Sequence, residues 1–438
     1  MTRAKLWQQA AVSAWLSLWF VFVYNGCNYL ASQRFEVGTC AYDWEINLFP
    51  FIPILIIPYW SIDLFYVVAP LLIKSRYELF QHLKRISFGI AVAGFFFLFF
   101  PLKLVTPAPP VEGWLKPFFD ALGNFNNFYN CAPSLHIVLR TNLLMVYLPL
   151  CKGRWRWLLG TWFFLIGASV LFCYQHHVID VITGQLLGLV CLWLYPSARF
   201  DPPLRDTGRH INSNPRVGRY YGAGAIILVI ATVLGWPSSV LLLWPALALF
   251  VLAGAYLGGG PTWLRKHAGK QLLGTRLLLN PYRWGAALSA LYFNSGKTPY
   301  RELRPGLLLG RRLNDAEAKE IEAEAVLDLT AEYDEVPEFL GRSYLNVPIL
   351  DLTSPSVEQL REAVEHIRGH SSCYVHCSLG RGRTGAVAAA YLVAGGMSLN
   401  EALSELKKVH PDLKLARGSL EVLQEFESLQ SSTAVTAP

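Results

Sequence analysis

Over the first 258 residues, apolar runs alternate with short polar loops, and after them the pattern changes. A bilayer core takes about 20 apolar residues per helix. Eight segments qualify as spans, at roughly 10–30, 49–73, 87–105, 133–150, 157–175, 177–196, 220–236 and 239–257. The first follows Arg3 and Lys5 but is too long, and has too many successors of the same kind, to be a cleaved leader. From about 303 to 430, strand-like runs at Leu307–Leu309, Ala325–Leu329, Tyr344–Ile349 and Cys373–His376 alternate with helical runs near 315–323, 356–368, 384–395, 399–409 and 418–429. That alternation predicts an α/β layer sandwich. The expected chain is multi-domain, an all-α polytopic membrane bundle followed by an α/β domain. Its parts are a bundle over 1–200, a cytoplasmic loop with two further spans over 201–258, a linker over 259–300, a cytoplasmic domain over 301–430 and a tail over 431–438.

Composition agrees with this division, since 53% of residues are hydrophobic and only 16% charged, against about 25% charged in soluble domains. The net charge of +7 does not point to nucleic acid, because the cations sit between apolar runs. Lys74, Arg76, Lys84 and Arg85 separate spans two and three. Lys152, Arg154 and Arg156 separate four and five, and Arg199, Arg205, Arg209, Arg216 and Arg219 separate six and seven. The 31–48 loop sets Arg34 against Glu36, Asp43 and Glu45. The excess of Lys and Arg on one side places both termini in the cytoplasm, and the expected location is the inner membrane of a bacterium. Residues 259–312 hold ten Lys or Arg and one acid, Glu302, among Trp263, Tyr282, Trp284, Tyr292 and Phe293. Such a stretch suits the headgroup layer of an anionic leaflet, so membrane lipids are expected partners. Eight cysteines without a CxxC pair predict neither a metal site nor a disulfide framework. Cys40 and Cys131 both fall in the oxidising compartment of a bacterial envelope, which permits a bridge, though the sequence does not set their separation. No cofactor is expected.

The chemistry concentrates at Val375-His376-Cys377-Ser378-Leu379-Gly380-Arg381-Gly382-Arg383-Thr384-Gly385, which follows a strand and opens a helix. A phosphate there meets a nest of backbone N–H groups and the positive end of the helix dipole. The same field favours a thiolate at Cys377. Gly380 and Gly382 allow the loop to curve. Arg383 can grip two phosphate oxygens, and Thr384 can donate to the sulfur.

His376-Cys377 through Arg383-Thr384 matches the HCxxxxxR(S/T) signature, and the domain resembles the dual-specificity phosphatases of the cysteine-dependent phosphatase class. The resemblance implies a phosphoric monoester hydrolase with a cysteinyl-phosphate intermediate. It also implies an aspartic acid, on a loop upstream, that protonates the leaving oxygen and then activates water. Asp351, 26 residues before Cys377, fits that place; Asp328 and Asp334 are the other candidates. His376, Ser378, Leu379, Gly380, Arg381, Gly382 and Thr384 would line the phosphate site. Arg381 adds a second charge to the loop, as in phosphoinositide-cleaving relatives. Both a phosphorylated lipid headgroup and a phosphoprotein remain open as substrate.

Ionisable residues inside spans are functional candidates. Lys103, His136, Arg140, His176 and Asp180 all fall near the outer ends of their spans, and a His and Asp four apart share a helix face. Pro133-Ser134-Leu135-His136 and His176-His177-Val178-Ile179-Asp180-Val181 resemble the PSGH and SRxxxxxHxxxD motifs of the type 2 phosphatidic acid phosphatase superfamily, and most of all its sphingolipid-synthase branch. The resemblance implies His176 as nucleophile, Asp180 as its partner and His136 as acid for the leaving alcohol. Leu135 replaces a glycine of the motif, and Val170, after Ser169, replaces its phosphate-binding arginine. The first motif survives only as Lys103 before Pro107, Pro109 and Pro110. Arg140, one turn from His136, is the candidate substitute for the arginine; Asp63 is too deep to pair with it. His177 reads as an interface histidine. A lipid phosphatase, a lipid phosphotransferase and a non-catalytic anchor are three open readings of this half.

Overall fold

The computed structural model describes residues 2–33, 38, 43–104, 108–125, 129, 131–199 and 212–435. Arg34, Glu36, Cys40, Pro107, Arg205 and Arg209 lie outside the described residues, and with Cys40 the bridge to Cys131 that the compartment would permit does too. The chain divides into two compact units, residues 1–199 with 229–244, and residues 200–228 with 245–438.

The first unit holds α1 (Leu6–Ser32), α2 (Asp43–Leu48), α3 (Ile56–Leu72), α4 (Arg76–Phe99), α5 (Lys116–Phe125), α6 (Leu135–Tyr147), α7 (Arg154–Phe172) and α8 (Val178–Leu194). The boundary between units cuts α9 (Pro215–Leu234) and α10 (Leu243–Gly254). Among the described residues, six stretches are long and apolar enough to cross a membrane: Leu6–Ser32, Pro53–Leu72, Arg76–Phe99, Arg154–Phe172, Pro215–Leu234 and Val240–Gly259. Leu135–Leu150 and Val178–Leu194 are apolar but shorter. Leu16, Ile62, Ile86, Ile90, Leu143 and Phe163 form the interior of the bundle. Large apolar side chains such as Phe22 and Leu64 face outward, as in a helix with lipid around it. Gly184 and Gly188 let α8 lie tightly on α6. A Cβ at these positions would come within 2.5 Å of the Ser134 carbonyl oxygen and 2.9 Å of the Thr141 side chain, the small-residue contact favoured between membrane helices.

Two expectations are corrected here. The Ser75 hydroxyl caps α4 by accepting from the Glu78 N–H, so the helix starts well before the apolar run. Lys84 and Arg85 therefore belong to the helix, not to a loop, and Arg85 is buried. The helix also ends at Phe99, so Lys103 stands beyond the span, exposed, with its ammonium 5.7 Å from the Tyr129 ring centre.

In the second unit, β1 (Lys266–His267) and β2 (Lys270–Gln271) form a short hairpin. It precedes α11 (Leu273–Leu278) and α12 (Asn280–Asn294). The main sheet comprises β3 (Tyr300–Arg304), β4 (Leu307–Arg311), β5 (Ala325–Thr330), β6 (Ser343–Ile349) and β7 (Cys373–Cys377), in the order β3-β4-β7-β5-β6. β3 and β4 are antiparallel and the other pairs parallel. The edge strand β3 was not expected from sequence. β7 is buried along its whole length, as a central parallel strand between helical layers must be. Around the sheet lie α13 (Asp315–Lys319), α14 (Pro337–Leu340), α15 (Val357–Arg368), α16 (Arg383–Ala394), α17 (Leu399–Val409) and α18 (Ser419–Val435). α15 starts at a Ser356–Gln359 capping box and buries Val357, Leu360, Val364 and Ile367, one face at helical spacing. They join Leu327, Val375, Val387, Leu406 and Phe426 in one core.

The basic stretch after the last span is not a bare linker. The Lys266 ammonium is buried on Asp328, with further bonds of 2.9 and 3.0 Å to the Thr330 carbonyl and hydroxyl oxygens. Arg283 reaches Asp334 at 3.3 Å and also Gln271, while Arg312 donates to the Asp334 carbonyl at 2.8 Å. Much of the charge read as facing lipid is thus spent on acids of the α/β domain. On α12, Trp284, Leu288, Leu291 and Tyr292 remain exposed.

Candidate functional site

β7 ends on Cys377, and α16 begins six residues later at Arg383, so the loop between them forms a cradle at a helix N-terminus. Gly380 holds φ at +72°, and a Cβ there would come within 2.7 Å of the Gly310 backbone. Only glycine fits both demands. The Cys377 side chain is nearly closed off, at 2% exposure. Both terminal nitrogens of Arg383 bond to Glu332, at 2.9 and 2.8 Å, and one also donates to the Ile349 carbonyl at 3.0 Å. Burial opposes the guanidinium charge, but Glu332, Asp351 and Cys377 outweigh it and hold Arg383 firmly protonated. Glu332 was not found from sequence. It lies 51 residues before Arg383 on the loop after β5, and no local pattern links the two.

Asp351 follows β6, with its side chain half exposed and a carboxylate oxygen 3.3 Å from Arg383. The other two candidates are committed elsewhere. Asp334 accepts from the Gln271 N–H at 2.7 Å and from Arg283. Asp328 is fully buried. Burial alone would raise its pKa, but Lys266, His376 and the Tyr344 hydroxyl hold it below the usual carboxylate range. Asp328, Glu335 and His376 offer three ligand atoms within 4.8 Å of one another. The Asp328 oxygens there already bind Lys266, Tyr344, Thr330 N–H and the Thr330 hydroxyl.

Three loop expectations change. His376 is fully buried behind the cradle, stacked on Tyr374 at 5.5 Å, with Nε2 2.8 Å from a Glu335 oxygen but not aligned to hydrogen-bond with it. The Thr384 hydroxyl is buried and, among the described residues, bonded to nothing, Cys377 included. Arg381 turns out of the cradle and donates to the Phe293 carbonyl at 3.3 Å. Ser378, Leu379, Gly380 and Gly382 form the loop itself, and Tyr333, also unforeseen, lies beside Ser378.

The loop that carries Asp351 is tied to the start of α9. The Asn212 N–H donates to the Ser354 carbonyl at 3.0 Å, and the Asn214 amide donates to the Leu352 carbonyl at 2.9 Å. Asn214 N–H also donates to the Tyr256 carbonyl at 2.9 Å. Tyr221 lies 5.6 Å from Tyr256 and 6.2 Å from Tyr282, ring centre to ring centre.

In the first unit, His136 and His176 line one cavity of about 280 Å³ with Tyr24, Tyr59, Trp60 and Asp63. His136 stacks on Tyr59 at 4.4 Å, and its Nε2 is buried without a hydrogen-bond partner among the described residues. His176 Nδ1 is 3.3 Å from an Asp180 oxygen, but the two do not share a helix face. His176 precedes α8, His177 is its N-cap, and Asp180 reaches back to the His177 N–H at 2.8 Å. His177 pairs with Glu45 at 2.8 Å, a partner not anticipated. Arg140 does not line the cavity. It donates to the Phe163 carbonyl at 2.9 Å and to Gln185 at 3.2 Å.

Residues 314–397 match the family described as "Polymorphic toxin system, DSP-PTPase phosphatase". The chain is 28% identical over 165 residues to the phosphatidylglycerophosphate phosphatase PTPMT2 of Arabidopsis thaliana, covering 35% of this chain and 67% of the relative. It is 28% identical over 145 residues to the phosphatidylglycerophosphatase and protein-tyrosine phosphatase 1 of Homo sapiens, covering 29% and 72%. Among solved structures, PTPMT1 in complex with PI(5)P aligns with TM-score 0.30 at 21% identity, over 31% of this chain and 99% of that one. Tk-PTP in its active form aligns with TM-score 0.28 at 33% identity, over 30% and 97%. The family match and the two relatives support a phosphatase domain of the dual-specificity type at the C-terminal end of this chain.

Proposed function

We propose that the protein is an integral membrane phosphatase that hydrolyses the phosphomonoester of a lipid headgroup at Cys377. The Cys377 thiolate attacks phosphorus, the bond to the headgroup oxygen breaks, and Asp351 gives that oxygen its proton. Water then attacks the cysteinyl-phosphate, Asp351 takes the proton, and the thiolate leaves with inorganic phosphate released. Arg383 holds two phosphate oxygens through both steps, and loop N–H groups hold the rest.

The observation that carries the lipid reading is the bonding of the acid loop to Asn212 and Asn214 at the head of α9, an apolar helix long enough to span a bilayer. A reaction centre fastened to the end of a span works at headgroup depth. The relatives named as phosphatidylglycerophosphatases agree with such a substrate. The exposed aromatic and aliphatic side chains of α12 suit the same interface. In this reading all eight apolar segments cross the inner membrane of a bacterium, and both termini are cytoplasmic.

A second site belongs to the same proposal. His136 and His176 on one cavity, with Asp180 behind His176, favour a lipid-phosphate site of the type 2 phosphatidic acid phosphatase kind in the membrane half. Transfer of the headgroup to another lipid alcohol is its alternative outcome.

Full-length protein in nanodiscs tests the main reading. Phosphate release from phosphatidylglycerophosphate should exceed that from a phosphotyrosyl peptide by about tenfold or more in kcat/KM, about 1.4 kcal/mol of transition-state discrimination, and Cys377→Ser should remove both. The opposite ranking would turn the site into a phosphoprotein phosphatase.

A further inference from the structure

On the outer side of the cradle lies a second cavity, of about 230 Å³. It shares Leu379, Gly380 and Arg381 with the phosphate loop and is otherwise formed by the 294–301 segment, the end of β4, and His410 and Asp412. Cys377, Asp351 and Arg383 do not line it.

Its charges are unbalanced. Lys297, Arg301, Arg311 and Arg381 all reach it, against the single carboxylate of Asp412. Arg311 is neutralised, gripped by both oxygens of Glu317 at 2.7 and 3.1 Å. The other three are not. Among the described residues, Arg301 and Arg381 bond only to backbone carbonyls, those of Val409 and Phe293. Lys297 stands 3.9 Å from Asp412, both of them half exposed. Nδ1 of His410 is buried and, among the described residues, has no partner beyond its own backbone. Three cations with one loose counter-charge, converging from a loop, an edge strand and the cradle, repel one another when the cavity holds only water. An oxyanion with several acceptor oxygens relieves that repulsion and takes charge-assisted bonds from each.

We propose that this cavity is a second phosphate subsite, in which Lys297, Arg301 and Arg381 hold a phosphate monoester or diester against the back of the catalytic loop. The subsite does not depend on which ester Cys377 cleaves. Two sources carry that chemistry at this place. One is soluble phosphate, including the product of the neighbouring reaction. The other is the phosphodiester of an anionic lipid, brought within reach by the apolar side chains of α12, whose last turn contributes Asn294 to the cavity.

Binding of radiolabelled inorganic phosphate to the full chain in phosphatidylcholine nanodiscs tests it. Lys297→Glu should lower the number of phosphates bound per chain by one, or weaken that site about tenfold or more, the effect of losing a hydrogen bond to a charged group. Arg301→Gln, which keeps a donor for the Val409 carbonyl, should do the same. Unchanged binding in both variants, each with the melting temperature of the wild type, overturns the subsite. Replacing part of the phosphatidylcholine with phosphatidylglycerol separates the sources. If the lipid diester is the occupant, the Lys297-dependent phosphate binding disappears as the anionic lipid rises. If it persists, the occupant is soluble phosphate. Loss of phosphatidylglycerophosphate hydrolysis is a different result and bears on Cys377, because this assay reads binding alone.

Discussion

Glu332 holds Arg383 by two parallel hydrogen bonds, at 2.9 and 2.8 Å, with both side chains almost wholly buried. The arginine is therefore aimed before any phosphate arrives. Glu332→Gln keeps one bond and removes the charge. It should lower kcat/KM for phosphomonoesters by about 10–100-fold, the usual effect of a misplaced binding group. It should also lower stability by about 1–3 kcal/mol through the less well satisfied guanidinium. Inorganic phosphate should recover most of the lost melting temperature, since an oxyanion supplies the missing negative charge. A purely structural glutamate would give no such recovery.

Asp351 touches Arg383 and stays half exposed, as a group that must meet a leaving oxygen and then a water. Asp351→Asn should slow hydrolysis of alkyl phosphates by about 10²–10³-fold, within the range of general acid catalysis. Aryl phosphates with acidic leaving groups should lose far less. Equal losses on both substrates would assign the proton to another residue.

The Lys266–Asp328 pair sets the lower limit of the folded phosphatase unit. Removing one member strands a buried charge, so Lys266→Met should cost about 3–5 kcal/mol, and Lys266→Met with Asp328→Leu should recover much of it. A fragment of residues 298–438 lacks Lys266, Arg283 and Tyr282 and should be insoluble or molten. The pH sense follows from the Asp328 carboxyl, held below its ordinary value of 3.8 by Lys266 against the opposing effect of burial. Its contribution is complete above that value and is lost as the pH falls below it. Lys266→Met should flatten this acid limb in a melting-temperature profile.

The cradle could be read from the sequence because its parts are contiguous: strand, cysteine, glycine turn, arginine and helix occupy eleven residues. The long apolar helices could be read because each is a single long run. What could not be read are the partners that meet only in the fold. Glu332 sits on the loop after β5 and Arg383 at the start of α16. Lys266 looks like any headgroup-facing cation until the β1–β2 hairpin carries it under β5. Arg381 looked like part of the cradle because it is inside the motif, yet Gly380 at φ +72° turns the chain and sends its guanidinium to Phe293. Helix ends are hidden from an apolar-run reading where a cap, such as Ser75, stands well before the apolar run.

The N-terminal helical unit gives the sharpest division between the readings. His176 and His136 face one cavity, and Asp180 both touches His176 and caps α8 through the His177 N–H. In a Cys377→Ser background, phosphate release from phosphatidic acid should be abolished by His176→Ala and by Asp180→Asn. Asn keeps an oxygen for the cap, so loss there reports the missing charge on His176 more than a frayed helix. Arg140 should behave differently. Its guanidinium serves the Phe163 carbonyl and Gln185, and a Cβ on Gly167 would stand 3.2 Å from its Nε, so it lies along α7 and away from the cavity. Arg140→Leu should lower the melting temperature, with about 1.5–3 kcal/mol lost for bonds to a charged donor, and leave kcat/KM within about threefold, under 1 kcal/mol of transition-state stabilisation. A large fall in turnover with an unchanged melting temperature would restore Arg140 as the phosphate-binding arginine. Turnover that survives His176→Ala would make the bundle a lipid-facing support, with Cys377 as the seat of the chemistry.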